Sequence, residues 1–199
     1  NTVAKLMQKA GILPKAIRRF RVTTDSRKTL ASPNLIQRDF TSEHPNDLWL
    51  SDITYIPTRE GWLYLAAVLD AYSRAVVGWA MSRNLGTQLA MDALNMAIAH
   101  RGPPVTLHSD QGSTYATGSY REIVNRYGIR QSMSRKGDCW DNAPMESFFH
   151  TLKTELVMHC DYKTRDDARA SLFDYMEVFY NRQRRHSSIG YEAPLPFEA

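Results

Sequence analysis

Leu48-Trp49-Leu50-Ser51-Asp52-Ile53-Thr54-Tyr55-Ile56, closed by Pro57, is a run of aliphatic, aromatic and β-branched residues with a single acid set inside it. Such a run reads as a strand, and the acid within it asks for a reason. Outward from it, Glu60-Gly61 turns the chain into residues 62–69, and Asp70-Ala71-Tyr72-Ser73-Arg74 turns it again into residues 75–81. These three strands form an antiparallel meander. Thr87 then caps a helix to about His100, with Leu89, Ala93, Leu94, Ala97 and Ile98 facing inward, and Gly102-Pro103-Pro104 stops it. A short strand over 105–109 ends at Asp110, followed by a helix near 119–127 and a strand over 129–132. Residues 142–159 read as a long helix whose apolar side is Met145, Phe148, Phe149, Leu152 and Leu156, and 165–181 as another. The order βββ-α-β-α-β-α-α builds an α/β fold, a five-stranded mixed sheet flanked by helices, which is the ribonuclease-H-like architecture.

Upstream the character changes. Residues 1–38 carry nine Lys/Arg against one acid, Asp25, although the whole chain has a net charge of only +4. Thr2 can cap a short helix with Val3, Leu6, Met7 and Ala10 on one face and Gly11 as its stop. From Pro14 to about Phe40 the chain is basic and aperiodic. We therefore divide it into a basic arm, residues 1–40, holding the last helix of an upstream region, and a core, residues 41–199. A basic arm suggests a polyanionic partner, and Arg18, Arg19 and Arg21 are its candidate phosphate contacts. The start, Asn1-Thr2-Val3-Ala4-Lys5, has neither a secretory signal nor an initiator Met and reads as cut from a longer protein. No apolar run of membrane-spanning length occurs. Two cysteines, Cys139 and Cys160, make no disulfide framework, so a reduced cytoplasmic setting is expected.

Three acids occupy positions from which a metal could be held. Asp52 lies inside the first strand, Asp110 just past the fourth, and Glu146 in the first turns of the long helix, where the dipole favours negative charge. Two carboxylates about 4 Å apart repel by roughly 4 kcal/mol at an effective dielectric near 20. A cluster of three is thus poor structure unless a cation neutralises it. Hard ions such as Mg²⁺ select oxygen ligands, and a pair of them serves in-line phosphoryl displacement. The other acids have quieter readings. Asp70 closes the second hairpin, Asp141 or Asn142 caps the long helix, and Glu155 lies on the helix's solvated face.

The motifs Trp49-x-x-Asp52-x-Thr54-Tyr55, His108-Ser109-Asp110-Gln111-Gly112-Ser113 and Ser134-Arg135-Lys136-Gly137-Asp138-Cys139-Trp140-Asp141-Asn142-Ala143-Pro144-Met145-Glu146-Ser147-Phe148-Phe149 resemble those of bacterial insertion-sequence transposases of the IS-three family, whose catalytic chain is similar to the retroviral integrase core. Leu152-Lys153-x-Glu155, Leu69-Asp70-x-Tyr72-Ser73-Arg74 and Tyr180-Asn181-x-x-Arg184-x-His186-Ser187-x-Ile189-Gly190-Tyr191-x-x-Pro194 match as well, and thirty-five residues separate Asp110 from Glu146. The resemblance implies a DDE transposase with Asp52, Asp110 and Glu146 as catalytic, metal-binding triad for Mg²⁺, with Mn²⁺ as substitute and two ions in all. It implies that water nicks the DNA to free a 3′-OH, which then attacks a second phosphodiester. Partners would be the terminal inverted repeats, target DNA and further copies of the chain in a synaptic complex, in a bacterial cytoplasm and at the nucleoid when DNA is bound. Lys153, seven residues after Glu146 and so on the same helix face, would contact the transposon end.

Arg135 and Lys136, ahead of the long helix, and Arg182, Arg184 and Arg185, after the last one, are further DNA-contact candidates. His108 and His150 flank the expected site. A ribonuclease-H-like nuclease and a non-catalytic DNA-binding regulator are the alternatives. A tyrosine recombinase would want a His-x-x-Arg, which occurs nowhere in the chain.

Overall fold

The computed structural model describes residues 2–11, 31–135 and 138–199. After a short helix α1 (Thr2–Lys9), the meander comprises β1 (Leu48–Thr58), β2 (Gly61–Asp70) and β3 (Val76–Ser82). Helix α2 (Thr87–Arg101) leads to β4 (Thr106–Ser109), and α3 (Gly118–Arg126) to β5 (Arg130–Met133). The five strands form one sheet in the order β3-β2-β1-β4-β5. The β1–β2 and β2–β3 pairs are antiparallel, whereas β4 runs parallel to β1 and β5 parallel to β4. The expected ribonuclease-H-like mixed sheet is therefore the fold.

Alternation along the strands sorts the core into two layers. Leu48, Leu50 and Ile56 of β1 join Leu63, Leu65 and Leu69 of β2 beneath α4 (Ala143–Glu155) and α5 (Arg165–Phe173). Trp49 with Ala66 and Val68 faces α2 and α3 on the other side. The inward residues expected on α2 are all buried, and Ala90 joins them. Small residues let α2 lie close over β3: a Cβ on Gly78 would stand 2.4 Å from the Ala93 carbonyl oxygen. On α4, Met145, Phe148, Phe149 and Leu152 are buried. Each such side chain contributes about 1.5–3 kcal/mol by leaving water, so the helix that carries Glu146 is firmly seated.

Some boundaries differ from expectation. Strand β1 runs through Pro57, which faces Trp62 of β2. Strand β4 pairs only with Leu48–Ser51, so the outer edge of β1 is open at Pro57 and its missing N–H breaks no ladder there. The helix expected over 142–159 ends as α-helix at Glu155 and closes with a 3₁₀ turn, Val157–His159. The helix expected over 165–181 widens after Phe173 into a π-helical stretch, Asp174–Tyr180. Beyond it, Asn181 bonds the backbone of Val76 through both amide atoms at 2.9 Å, tying this end to β3.

The last part of the sequence-defined arm lies against the core. Ile36 and Phe40 pack on the α4 side, Leu35 N–H donates to Ser132 Oγ at 2.9 Å, and Ser32 Oγ donates to Gln131 at 3.0 Å.

Candidate active site

The register between two parallel strands decides where the first two acids meet. The last β1–β4 pair is Ser51 opposite Ser109, so Asp52 and Asp110 are each one residue further along neighbouring strands. Parallel neighbours lie about 4.8 Å apart, and residues at one level point to one face. Asp52 shares parity with Leu50 and Ile56, which places it on the α4 side of the sheet. Helix α4 covers that side, and Glu146, in its first turn, stands at the solvent-facing border.

The electrostatics follow from this placement. Asp52 keeps a little solvent contact but is enclosed by protein, and its carboxyl is held well above the ordinary carboxylate range. Burial is the main cause, the charge of Asp110 the next, and that of Glu146 adds to them, while the Ile53 N–H bond and the Lys153 ammonium oppose the shift. Burial also raises Asp110, against one backbone hydrogen bond from Gly112, and raises Glu146. Among the described residues no three His, Cys, Asp or Glu side chains close on a common point at metal-ligand spacing. The three carboxylates thus meet through their charges, not through contact. The donor set nonetheless fits a hard divalent cation: it is all oxygen, it is carried on a strand, a strand end and a helix start, and its mutual repulsion is what such an ion relieves.

Several neighbours fix these groups. Gly112 N–H donates to Asp110 Oδ1 at 2.9 Å, and a Cβ on Gly112 would lie 2.7 Å from that oxygen. Only glycine leaves the Asp110 carboxylate where it is. Ser51 and the fully buried Tyr115 share a hydroxyl–hydroxyl bond of 3.2 Å under the site. Burial, then the Asp52 charge, pushes the Tyr115 phenol well above its usual value, so it stays neutral. Asn142 donates through Nδ2 to the Ser51 carbonyl at 3.4 Å and joins the start of α4 to β1, while its buried Oδ1 has no hydrogen-bond partner.

Lys153 is half-buried two turns beyond Glu146, its Nζ 4.8 Å from the centre of the Tyr55 ring. Burial lowers its pKa and the Asp52 charge raises it. His150 is exposed on the same helix. His108 is buried inside the sheet between Ser132 Oγ at 2.8 Å and Ser134 Oγ at 3.2 Å, and burial pushes it down to about 4. It is therefore a neutral part of the sheet interior.

The expected caps of α4 need correction. Asp141 does not cap α4: its side chain has no exposed surface and accepts hydrogen bonds from Asn34, Arg38 and Arg135. Asn142 precedes α4 but makes no cap bond with its side chain, and Pro144, at the second helical position, has no N–H to offer it. Glu155 is exposed, as expected, and there it binds Arg184 at 2.8 Å and accepts the Tyr175 hydroxyl at 2.7 Å.

Of the basic candidates, Arg184 is held by Glu155, and Arg135, though exposed, by Asp138 and Asp141. Arg182 donates to the Glu177 carbonyl at 3.1 Å and is exposed, as is Arg185. Arg18, Arg19, Arg21 and Lys136 lie outside the described residues. Sequence reasoning had passed over Gly112 and Tyr115; an Asp-x-Gly step beyond a strand end was the available signal for the first.

Comparison with known proteins places this geometry. The chain matches an integrase core domain model over residues 42–139 and a second model of the same description over 127–194. It is 44% identical over 198 residues to the insertion element IS600 uncharacterized 31 kDa protein of Shigella sonnei, covering 98% of this chain and 73% of that one. It is 46% identical over 200 residues to the transposase InsF for insertion sequence IS3A of Escherichia coli (strain K12), covering 99% and 69%. Among solved structures, a chain of the simian T-cell lymphotropic virus intasome in complex with PP2A regulatory subunit B56 gamma aligns with a TM-score of 0.68 at 19% identity over 86% of this chain. This chain spans 60% of that chain's length. The HTLV-2 integrase catalytic core domain in complex with magnesium aligns at 0.62 and 17%, over 80% of this chain and 100% of that one. At those identities the structural likeness shows the fold.

Proposed function

The chain belongs to the insertion-sequence transposases that carry an integrase core domain, and from that membership we propose that Asp52, Asp110 and Glu146 are its catalytic, metal-holding carboxylates. The observation that carries this reading is the placement of Asp52 and Asp110 at one level of two adjacent parallel strands, with the charge of Glu146 felt by Asp52.

Asp52 and Asp110 present oxygens from rigid backbone, and Glu146 presents one from a helix locked by its buried face. Magnesium-type ions, two of them, supply charge relief for the attacking and leaving oxygens of an in-line displacement when bound. Magnesium accompanies the HTLV-2 integrase core, and Mn²⁺ is the expected substitute. In the first step a water oxygen bonds to phosphorus at the element end, and the departing 3′-oxygen takes up a proton. In the second, that 3′-OH loses its proton, its oxygen bonds to a phosphorus of another strand, and the 3′-oxygen there departs. No covalent bond to protein forms. Lys153, beside Asp52, holds a backbone phosphate near the cut by charge. The exposed Arg182 and Arg185 serve phosphates further off, as Lys136, Arg18, Arg19 and Arg21 would upstream; Arg135 reaches DNA only by leaving its acids. The DNA is that of terminal inverted repeats and target, and copies of the chain assemble on it.

The test is a nicking and strand-transfer assay on end-bearing oligonucleotides with Mg²⁺ or Mn²⁺. Asp52→Asn, Asp110→Asn and Glu146→Gln should each abolish both steps while keeping wild-type circular dichroism. Activity that persists without divalent metal, or in any of the three, overturns the proposal.

A further inference from the structure

The turn between β5 and α4 carries a carboxylate that the chemistry above does not use. Asp141 is fully buried, yet it is ringed by donors from two distant parts of the chain. From its own turn, Arg135 donates its backbone N–H at 2.9 Å, Nε at 2.9 Å and a terminal nitrogen at 2.8 Å. From about a hundred residues upstream come Asn34 Nδ2 at 2.9 Å and Arg38 Nε at 2.9 Å. Arg38 also reaches Asp138, so it spans both ends of the turn. The upstream segment is itself bent to make this reach. Gln37 and Arg38 are consecutive non-glycine residues in the left-handed region, at φ 48 and φ 70, and Asn34 Oδ1 accepts the Gln37 N–H at 2.9 Å. Such backbone persists only where its surroundings hold it, and the paired guanidinium is what they hold. The next residue after Asp141 is Asn142, joined to the Ser51 carbonyl beside Asp52, and one helical turn later stands Glu146.

We propose that Asp141 is a positioning residue, the centre of a latch through which the upstream segment 34–38 fixes the entry of α4 and with it the bearing of Glu146. The latch spans the boundary at residue 40 that composition suggests, so the stretch leading out of the upstream region is half of the device that aligns the catalytic helix. Charged hydrogen bonds to a carboxylate without solvent contact are strong, and cutting one leaves the others imperfectly paired. The proposal rests on the reading of Glu146 as a catalytic carboxylate, and its test separates the two.

The test uses the full chain with Asp141→Asn, Arg38→Ala, their combination, Glu146→Gln and, as control, Arg59→Ala, which cuts an exposed ion pair to Asp161 elsewhere. Two quantities are read: hydrogen exchange of the peptide spanning residues 139–149, and the strand-transfer rate on pre-nicked ends with its dependence on DNA concentration. Asp141→Asn and Arg38→Ala should each speed exchange and lower the maximal rate by about tenfold or more, with KM for DNA within about twofold. The combination should be no worse than the poorer single change, because both cut one network. Arg59→Ala should move neither. Glu146→Gln should lose the rate with exchange intact, and if it keeps the rate the catalytic reading fails while exchange still judges the latch. Should Asp141→Asn fold poorly, Arg38→Ala, on a side chain already half exposed, still decides. Wild-type exchange in Arg38→Ala, or faster exchange with an unchanged rate, overturns the proposal.

Discussion

Replacing Asp52 by Asn should make the metal-free protein more stable while it destroys activity. Asp52, inside β1, and Asp110, just past β4, stand at one level of neighbouring parallel strands. At roughly 5 Å and an effective dielectric near 20 such a pair repels by about 3 kcal/mol. Water at the mouth of the site screens part of this, and the lost attraction to Lys153 offsets more, which leaves a net gain of about 1–2 kcal/mol. The amide oxygen of Asn can still accept the Ile53 N–H that Asp52 accepts at 2.7 Å, so no buried donor is orphaned. For a domain of this size each kcal/mol moves Tm by about 2–4 °C, so thermal denaturation in EDTA near neutral pH should show a rise of roughly 2–8 °C. Added Mg²⁺ or Mn²⁺ should then raise the Tm of the wild type and leave the variant unmoved. A variant less stable than wild type in EDTA, or one that gains as much from metal, refutes the reasoning.

Gly112→Ala should push the Asp110 carboxylate off its seat and cut strand transfer by an order of magnitude or more, with a Tm within a few degrees of wild type, as steady-state rates and melting would show. Lys153→Gln should weaken binding to DNA ends and reduce the slope of log affinity against log salt by about one, measured by fluorescence anisotropy. The pH dependence has a definite sign. Asp52, Asp110 and Glu146 have folded-state pKa values above their unfolded ones, so their charged forms destabilise the metal-free fold. Its stability should therefore rise as pH falls through those raised values, while metal-dependent activity drops because protons compete for the same oxygens. Glu155→Gln should lower Tm by no more than a few degrees, the pair with Arg184 being partly exposed, and leave the salt dependence of DNA binding unchanged.

Much of this was legible in local pattern. The run of β-formers around Asp52 announced β1, and the punctuation at Glu60-Gly61 and Asp70–Arg74 announced the two hairpins of the meander; both are in place. Spacing put Asp52, Asp110 and Glu146 on a strand, a strand end and a helix start, which is where they lie. The misreadings share a cause. Asp141 has the local credentials of a cap, but its partner Arg38 comes from 103 residues away, where periodicity carries no information; the same distance in sequence hides the pairing of the exposed Glu155 with Arg184, 29 residues on. Pro57 looked like a stop because its missing N–H matters in a central strand, and only the sheet order reveals an open edge there. The widening of the last helix after Phe173 has no signature in its residues, which suit an ordinary α-helix.

The most direct trial of the carboxylate triad is anomalous diffraction from crystals of the chain bound to a nicked element end and soaked in Mn²⁺. A peak bounded by oxygens of Asp52 and Asp110, with Glu146 turned in beside it and the signal lost in Asp110→Asn, is the expected result. Manganese bound elsewhere, or DNA seated over the three acids with no metal among them, would contradict it.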